Sequence, residues 1–441
     1  MLLHGVGGIG KTELAKHYAM TYAEEYDAVV FVRFLDSMEN TILSDTNFPI
    51  VHCTRSEEES DAAYLERKLQ VLRQICTPRH LILLDNFDTG DCENLDFLTE
   101  LPCPILVTSR VDYDGIFPQY EVDILSDESA LYQMMAYYTK REPDLYTDAI
   151  LKALNGHTMA VELVAKQMAL HQLTFREMYE KLCAEGISGD DGKVRQLKDS
   201  TLREKTAFHH MEILFSVLDL SESEKQVLRC AALVGATSME RQYFEVISDL
   251  NEAEISSLDR LIQSGWISEV YQNEMCTLST HPLIVEVLCE KLRPNSRECK
   301  RILIMSGAVA SYIEKSENAE QRFLSVQWLD HMAHHIQGDD PELSYFFGTM
   351  CYPHSSVLSE LGEFQNCNIV AAEALECFQK NFGELHEQMQ WAYLMVGDNY
   401  RKAGDKENAK RYYDLAIRVL RENDYETDEL EERVEELLQG M

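Results

Sequence analysis

The chain of 441 residues is short of cations: 40 Lys and Arg stand against 76 Asp and Glu, a formal net charge of −36. A surface of that sign repels nucleic acid and anionic membrane, which argues against non-specific binding to either. No run of about 18 apolar residues occurs, so no transmembrane helix is expected. No signal peptide precedes the first motif. The 12 cysteines include no C-x-x-C pair, and Cys76, Cys230 and Cys289 sit among apolar residues. That is the pattern of reduced, buried thiols in a cytoplasmic protein. Apolar content, by contrast, is ample at 45%, enough for the cores of roughly three domains.

What is present begins at once. Gly5-Val6-Gly7-Gly8-Ile9-Gly10-Lys11-Thr12 fits G-x-x-x-x-G-K-[ST], the phosphate-binding loop that joins a strand to a helix. Leu2-Leu3 closes a strand before it, and Glu13 to Met20 reads as a helix with Leu14, Ala15 and Tyr18 on one face. Gly5, Gly7, Gly8 and Gly10 let successive N–H groups converge on an anion at the positive end of that helix. Lys11 is expected to reach the β- and γ-phosphates of ATP or ADP and Thr12 to hold Mg²⁺. Glu13, next in the first turn, is counted with the binding residues. Only four residues precede the first glycine, short for a strand, so an upstream segment of the domain is expected to be missing.

Further strands follow. Ala28 to Arg33 is a continuous apolar run of the kind buried on both faces of a sheet. Residues 56–75 form an amphipathic helix with an acidic first turn. His80-Leu81-Ile82-Leu83-Leu84-Asp85 is a buried strand that delivers a carboxylate to the sheet edge where ligands bind, making Asp85 the second Mg²⁺ partner, usually through water. Ile105 to Thr108 is another strand, ending in Ser109-Arg110; Arg110 is either a γ-phosphate contact or an ordinary surface arginine. Tyr120 to Ile124 completes a parallel sheet, and residues 1–125 read as an α/β P-loop domain.

Beyond it the pattern turns mostly helical. Residues 126–199 form a helical domain that opens at Ser126-Asp127 and ends in a polar, Gly-rich joint at 183–199. Within it Asn155-Gly156 closes one helix before the next begins. Residues 200–295 contain helices at 222–233, 240–247 and 252–263, then a hairpin of Trp266–Val270 and Met275–Leu278 about a turn at 272–274: a winged helix. Its recognition position carries Glu252, Glu254 and Asp259 against Arg260 alone, the wrong charge for DNA. Residues 296–441 are helical. Tyr393, Val396, Gly397, Tyr400, Gly404, Ala409, Tyr413 and Ala416 follow tetratricopeptide (TPR) spacing, and Gly362, Phe364, Cys367, Ala371, Ala374 and Leu375 echo it about 42 residues earlier. The tail 422–438 reads as one acidic, solvated helix. His331, His334 and His335 lie at helical spacing, with no carboxylate or cysteine partner read nearby in sequence to complete a metal site, and read as an exposed helix face.

In this order the motifs resemble the NB-ARC branch of the signal-transduction (STAND) ATPases. The resemblance rests on residues 5–12, on Leu81 to Asp85, on Ile105 to Arg110, on Gly156-His157-Thr158-Met159-Ala160 as a GxP-type segment, and on Thr280-His281-Pro282-Leu283 as the histidine motif. It implies a switch: ADP holds a closed state and ATP permits an open, often oligomeric one. It also implies that His281 touches the ADP β-phosphate, that Arg110 touches the γ-phosphate, and that Lys11, Asp85 and Arg110 carry whatever hydrolysis occurs. The TPR region would bind a protein partner. Two departures stand out: Thr158 replaces the usual proline, and Asn86 follows Asp85 where an acid is common. A DNA-binding regulator acting through the winged helix is the alternative class, and a permanently ADP-bound scaffold a third.

Overall fold

Five short apolar runs pair into one parallel sheet. The computed structural model describes residues 1–34, 38–43, 48, 50, 53, 61–88, 101–111, 113, 118–125, 128–185, 200–272, 275–295, 297–314, 328–329, 331–332, 335, 371–372, 375–376, 378–380, 383–387 and 389–439. They divide into two units, Met1–Asp219 with Gln263–Trp266, and Leu220–Ile262 with Ile267–Met441.

In the first unit, β1 (Leu2–His4) leads into α1 (Lys11–Thr21), then β2 (Ala28–Arg33), α2 (Met38–Leu43), α3 (Asp61–Ile75), β3 (His80–Asp85), β4 (Ile105–Ser109) and β5 (Gln119–Glu121). The strands lie in the order β2-β3-β4-β1-β5, all neighbours parallel. Strand alternation explains why β3 is apolar throughout. Leu81 and Leu83 face Ala15 and Ala19 of α1, while Ile82 and Leu84 join Tyr64, Leu69 and Leu72 of α3 on the other side. Helices thus cover both faces of the sheet, and Asp85 ends its centre.

One expectation fails at the edge. The run Ala28–Arg33 does form a strand, but Val29 and Phe31 are 41% and 44% exposed. β2 ends the strand order, so only its inward side (Val30 and Val32) packs in the core. Among the described residues, the Lys16 ammonium lies 5.8 Å from the centroid of the Phe31 ring.

The sheet is followed by α4 (Glu128–Thr139), α5 (Leu145–Ala153), α6 (Thr158–His171), α7 (Phe175–Ala184) and α8 (Ser200–Val217). Asp144 and Thr174 open α5 and α7 with reciprocal capping boxes. Asn155 and Gly156 carry the expected break, both with positive φ. Ser126-Asp127, the first turn expected at residue 56, and residues 186–199 of the joint lie outside the described residues.

The second unit opens with α9 (Glu222–Val234), capped by Ser221 and Glu224. Next come β6 (Met239–Glu240), α10 (Arg241–Ile247), α11 (Glu252–Gln263), β7 (Ser268–Gln272), β8 (Met275–Ser279), α12 (Pro282–Leu292) and α13 (Lys300–Glu314). The three strands are antiparallel in the order β6-β8-β7; residues 273–274 of the hairpin turn are outside the described set. The acids of α11 have structural duties. Buried Glu254 accepts from Arg301 Nη2 at 2.5 Å, and Asp259 accepts from Arg241 Nη2 at 2.6 Å.

At the C-terminal end, α14 (Met389–Lys402) and α15 (Lys406–Glu422) form an antiparallel pair, with the turn at Gly404. Gly362, Phe364, Cys367 and Ala374 of the earlier spacing lie outside the described residues. The tail is not one helix: α15 runs to Glu422, and α16 (Asp428–Gln439) follows a turn. Nor is α16 wholly solvated, since Val434 and Leu438 pack against Ala409 and Tyr413. The reason is helical periodicity: positions four apart share a face even in an acidic segment.

Gly397 is where α14 and α15 come closest. A Cβ there would sit 2.7 Å from the Tyr413 ring, which is buried and donates to Asp398 Oδ1 at 2.7 Å. Alanine normally favours a helix over glycine by about 1 kcal/mol, but overpacking a rigid buried ring costs about 1–3 kcal/mol. Gly397→Ala should therefore destabilise this pair. Hydrogen exchange by mass spectrometry should show faster exchange over 389–439; unchanged protection there would refute the close contact.

Candidate functional site

The loop between β1 and α1 is built by close approaches. Gly5 has φ +147°, and a Cβ on it would lie 2.4 Å from the Val122 carbonyl oxygen. Gly8, at φ +74°, has Met159 and His157 atoms 2.9 and 3.0 Å from the same virtual position. Side chains cannot be added at either place without moving backbone or a buried helix start. Gly10 is the N-cap of α1 and supplies no side-chain cap; a Cβ there would meet nothing within 4 Å. Among the described residues, that position at the head of the helix is open.

Lys11 is buried and folds back over the loop, its Nζ donating to the Gly5 and Val6 carbonyls at 2.8 and 2.9 Å. Next to it, Thr12 Oγ1 donates to Asp85 Oδ1 at 2.7 Å, and Thr108 Oγ1 from β4 donates to the same oxygen at 2.6 Å. Arg33 stands opposite Asp85 in the β2–β3 register. Burial lowers the pKa of its guanidinium, and the Asp85 carboxylate opposes that shift. Two hydroxyls and a buried carboxylate thus meet at the C-terminal end of the sheet.

That end is stitched by the chain after Asp85. Asn86 takes a left-handed conformation, φ 59°, and its N–H donates to Thr108 Oγ1 at 3.0 Å. The turn brings Asp88 back onto β4. Asp88 Oδ1 accepts from the Arg110 N–H at 2.5 Å and from Ser109 Oγ at 3.2 Å, while Oδ2 accepts from Arg110 Nε at 2.7 Å. The Arg110 side chain also passes over the loop, its Cδ 3.6 Å from the virtual Cβ of Gly7.

Of the residues singled out from sequence, Gly5, Gly7, Gly8, Gly10, Lys11, Thr12, Asp85 and Arg110 come together. Glu13 does not share their surroundings: its side chain is 79% exposed and pairs with Lys16 at 3.0 Å. His281 belongs to the second unit, where it caps α12, its Nδ1 accepting the Leu283 N–H at 3.2 Å.

Sequence reasoning missed three contributors. Thr108 was read only as strand, though its hydroxyl fixes Asp85. His157 is buried, and its Nε2 donates to the Gly7 carbonyl at 2.8 Å while Nδ1 accepts from the Ala160 N–H at 3.3 Å. Thr158 Oγ1 donates to the Gly8 carbonyl at 2.9 Å and lies 3.1 Å from that of Ile9. The GxP-like pattern around Gly156 marked the segment but not these contacts, because it directs attention to the missing proline.

No family model matches the chain, and no curated protein matches it. Among solved structures it is similar to a Signal Transduction ATPase with Numerous Domains (STAND) protein with a tetratricopeptide repeat sensor from Pyrococcus horikoshii. The identity is 14%, the TM-score 0.49, and the match covers 96% of this chain and 62% of that one. The chain therefore spans less than two thirds of that protein's length, and the site rests on its own geometry.

His157 gives a pH prediction. Burial holds its imidazole below the ordinary value of 6.5, only partly offset by the Gly7 contact. Below about pH 6.5 the unfolded chain takes up a proton that the folded chain resists, so stability falls as pH drops through that value. Glutamine at 157 keeps a donor for the Gly7 carbonyl but does not titrate. Between about pH 6.5 and 5 the wild-type unfolding temperature should fall more steeply than that of His157→Gln. Parallel curves would remove the neutral-histidine assignment.

Proposed function

We propose that the chain is an ADP/ATP-binding switch of the STAND type that couples nucleotide state to a protein–protein contact. The observation that carries this reading is the cluster at the head of α1: Lys11 on the loop carbonyls, beside a Thr12 hydroxyl 2.7 Å from Asp85 Oδ1. Cis ligands 2.0–2.1 Å from a Mg²⁺ ion lie about 2.9 Å apart, so these two oxygens need almost no rearrangement to share one. The open helix start suits phosphate oxygens, which gain from both N–H groups and helix dipole. Lys11 would exchange its carbonyl partners for phosphate, and Thr12 and Asp85 would hold Mg²⁺.

The rest of the reading follows the chain. Residues 1–125 bind nucleotide, 126–199 grip the loop through His157 and Thr158, and 200–295 form the winged helix carrying His281 as the ADP contact. Residues 296–441, TPR-like, bind a protein partner, and ATP favours an oligomer. With Glu254 and Asp259 of α11 engaged by Arg301 and Arg241, the winged helix serves structure rather than DNA. The site of action is the cytoplasm.

Nucleotide content tests the binding claim. Wild-type protein should carry ADP through purification, whereas Lys11→Ala should lose most of it, since a charge-assisted contact is worth roughly 1.5–3 kcal/mol. Equal ADP in both, measured chromatographically after denaturation, would sink the loop assignment.

Turnover should be slow. Asn86 cannot accept a proton from water at neutral pH, and Asp88 is already held by Arg110 through both oxygens. Without a free carboxylate beside the site among the described residues, the reaction forgoes a factor of about 10²–10⁴. Single-turnover assays should give hydrolysis over minutes or longer, and Asn86→Asp should accelerate it. A wild-type rate on the order of one per second would favour a true ATPase over a switch.

A further inference from the structure

The histidines expected on an exposed helix face have a cysteine beside them after all. Residues 328, 329, 331, 332 and 335 are helical, which sets His331 and His335 one turn apart. Cys289, from α12 of the same unit, reaches them: one ligand atom from each of Cys289, His331 and His335 lies within 4.8 Å of the others. His334 lies outside the described residues. We infer that Cys289, His331 and His335 form a binding site for a thiophilic divalent cation of the zinc class.

The argument starts from the ring nitrogens. His331 Nε2 lies 2.9 Å from the Ala232 carbonyl oxygen, and His335 Nδ1 lies 2.9 Å from the His331 carbonyl oxygen. A carbonyl only accepts, so each of these nitrogens carries the proton. The lone pair then sits on Nδ1 of His331 and on Nε2 of His335. An imidazole held at one nitrogen by a carbonyl, with the lone pair on the other, is the arrangement that outer partners impose on metal-binding histidines. The Ala232 carbonyl also faces Cys289, 3.9 Å from its sulfur.

Room for the first ring is provided by α9. Gly235, just after that helix, has φ +78°, and a Cβ on it would lie 2.7 Å from the His331 ring. The site is pre-formed but not closed. Around one zinc ion, with Zn–N about 2.0–2.1 Å and Zn–S about 2.3 Å, tetrahedral ligand atoms are separated by about 3.3–3.6 Å. The ligand atoms, within 4.8 Å of one another, would need to close by at most about 1.2–1.5 Å. The two imidazoles are stacked at 4.0 Å, 18° from parallel, and small tilts that keep both carbonyl contacts, with a turn of the Cys289 side chain, would supply that movement. A thiolate with two imidazoles suits zinc better than the hard, oxygen-seeking Mg²⁺ or Ca²⁺. Three protein ligands leave the fourth position for water or an added side chain. Bound metal would tie α12 to the helix that carries His331 and His335, independently of nucleotide chemistry.

Cobalt is the probe, because a thiolate bound to Co²⁺ gives an intense near-ultraviolet charge-transfer band. Full-length protein stripped with chelator should develop that band at about one equivalent of Co²⁺, and Zn²⁺ should abolish it by displacement. Cys289→Ser should remove the band, and His335→Ala should weaken Co²⁺ binding about tenfold or more. Cys183→Ser, which alters an exposed thiol elsewhere, should leave it intact. Circular dichroism confirms that each variant is folded, and added Zn²⁺ should raise the wild-type melting temperature but not that of Cys289→Ser. Absence of the band in folded wild type, or its persistence in Cys289→Ser, would overturn the proposal and leave a stacked histidine pair that serves packing alone.

Discussion

One carboxylate oxygen organises the first unit. Asp85 Oδ1 takes a hydroxyl from Thr12 at the start of α1 and another from Thr108 in β4. Both donors sit on elements flanking β1, so this acceptor fixes the depth at which the glycine loop meets the sheet. A buried carboxylate without such donors would be costly. Its hydrogen bonds therefore set the register of helix, loop and sheet edge together. Everything else at the site is arranged around that point: Lys11 folded on one side, the Asp88–Arg110 pair on the other.

A second grip comes from outside the sheet. His157 and Thr158 hold the carbonyls of Gly7 and Gly8 from the first turn of α6. Their donors thus engage two successive carbonyls of the loop backbone. The helical segment thus does not merely follow the sheet in sequence; it sets the conformation of the loop. Where a proline would pack by shape alone, Thr158 contributes a hydroxyl with a defined acceptor.

Much of this was legible in the residues. The loop, the strand ending in Asp85 and the arginine after β4 were readable because glycine spacing and apolar runs bounded by a single polar residue are local signals. The three-helix-plus-hairpin order is equally local. What could not be read was lateral: which strand would be an edge, and hence that Val29 and Phe31 would face outward. The same holds for Thr108, whose hydroxyl meets Asp85 only once β3 and β4 are neighbours. Cys289 and His331 are separated by 42 positions, and nothing in the spacing of either announces the other. The splitting of the tail into α15 and α16 was hidden because the acidic residues on both sides of the break look alike.

The pair between Arg110 and Asp88 has a consequence for discrimination between anions. A guanidinium already holding a carboxylate at 2.7 Å is released only to a competitor that binds it better than Asp88 does. A singly charged or distant group gains little from that exchange. A more highly charged competitor would gain more, because bidentate contacts to guanidinium strengthen with charge. Every competitor for the guanidinium therefore has to make good the same lost contact with Asp88 before it gains anything.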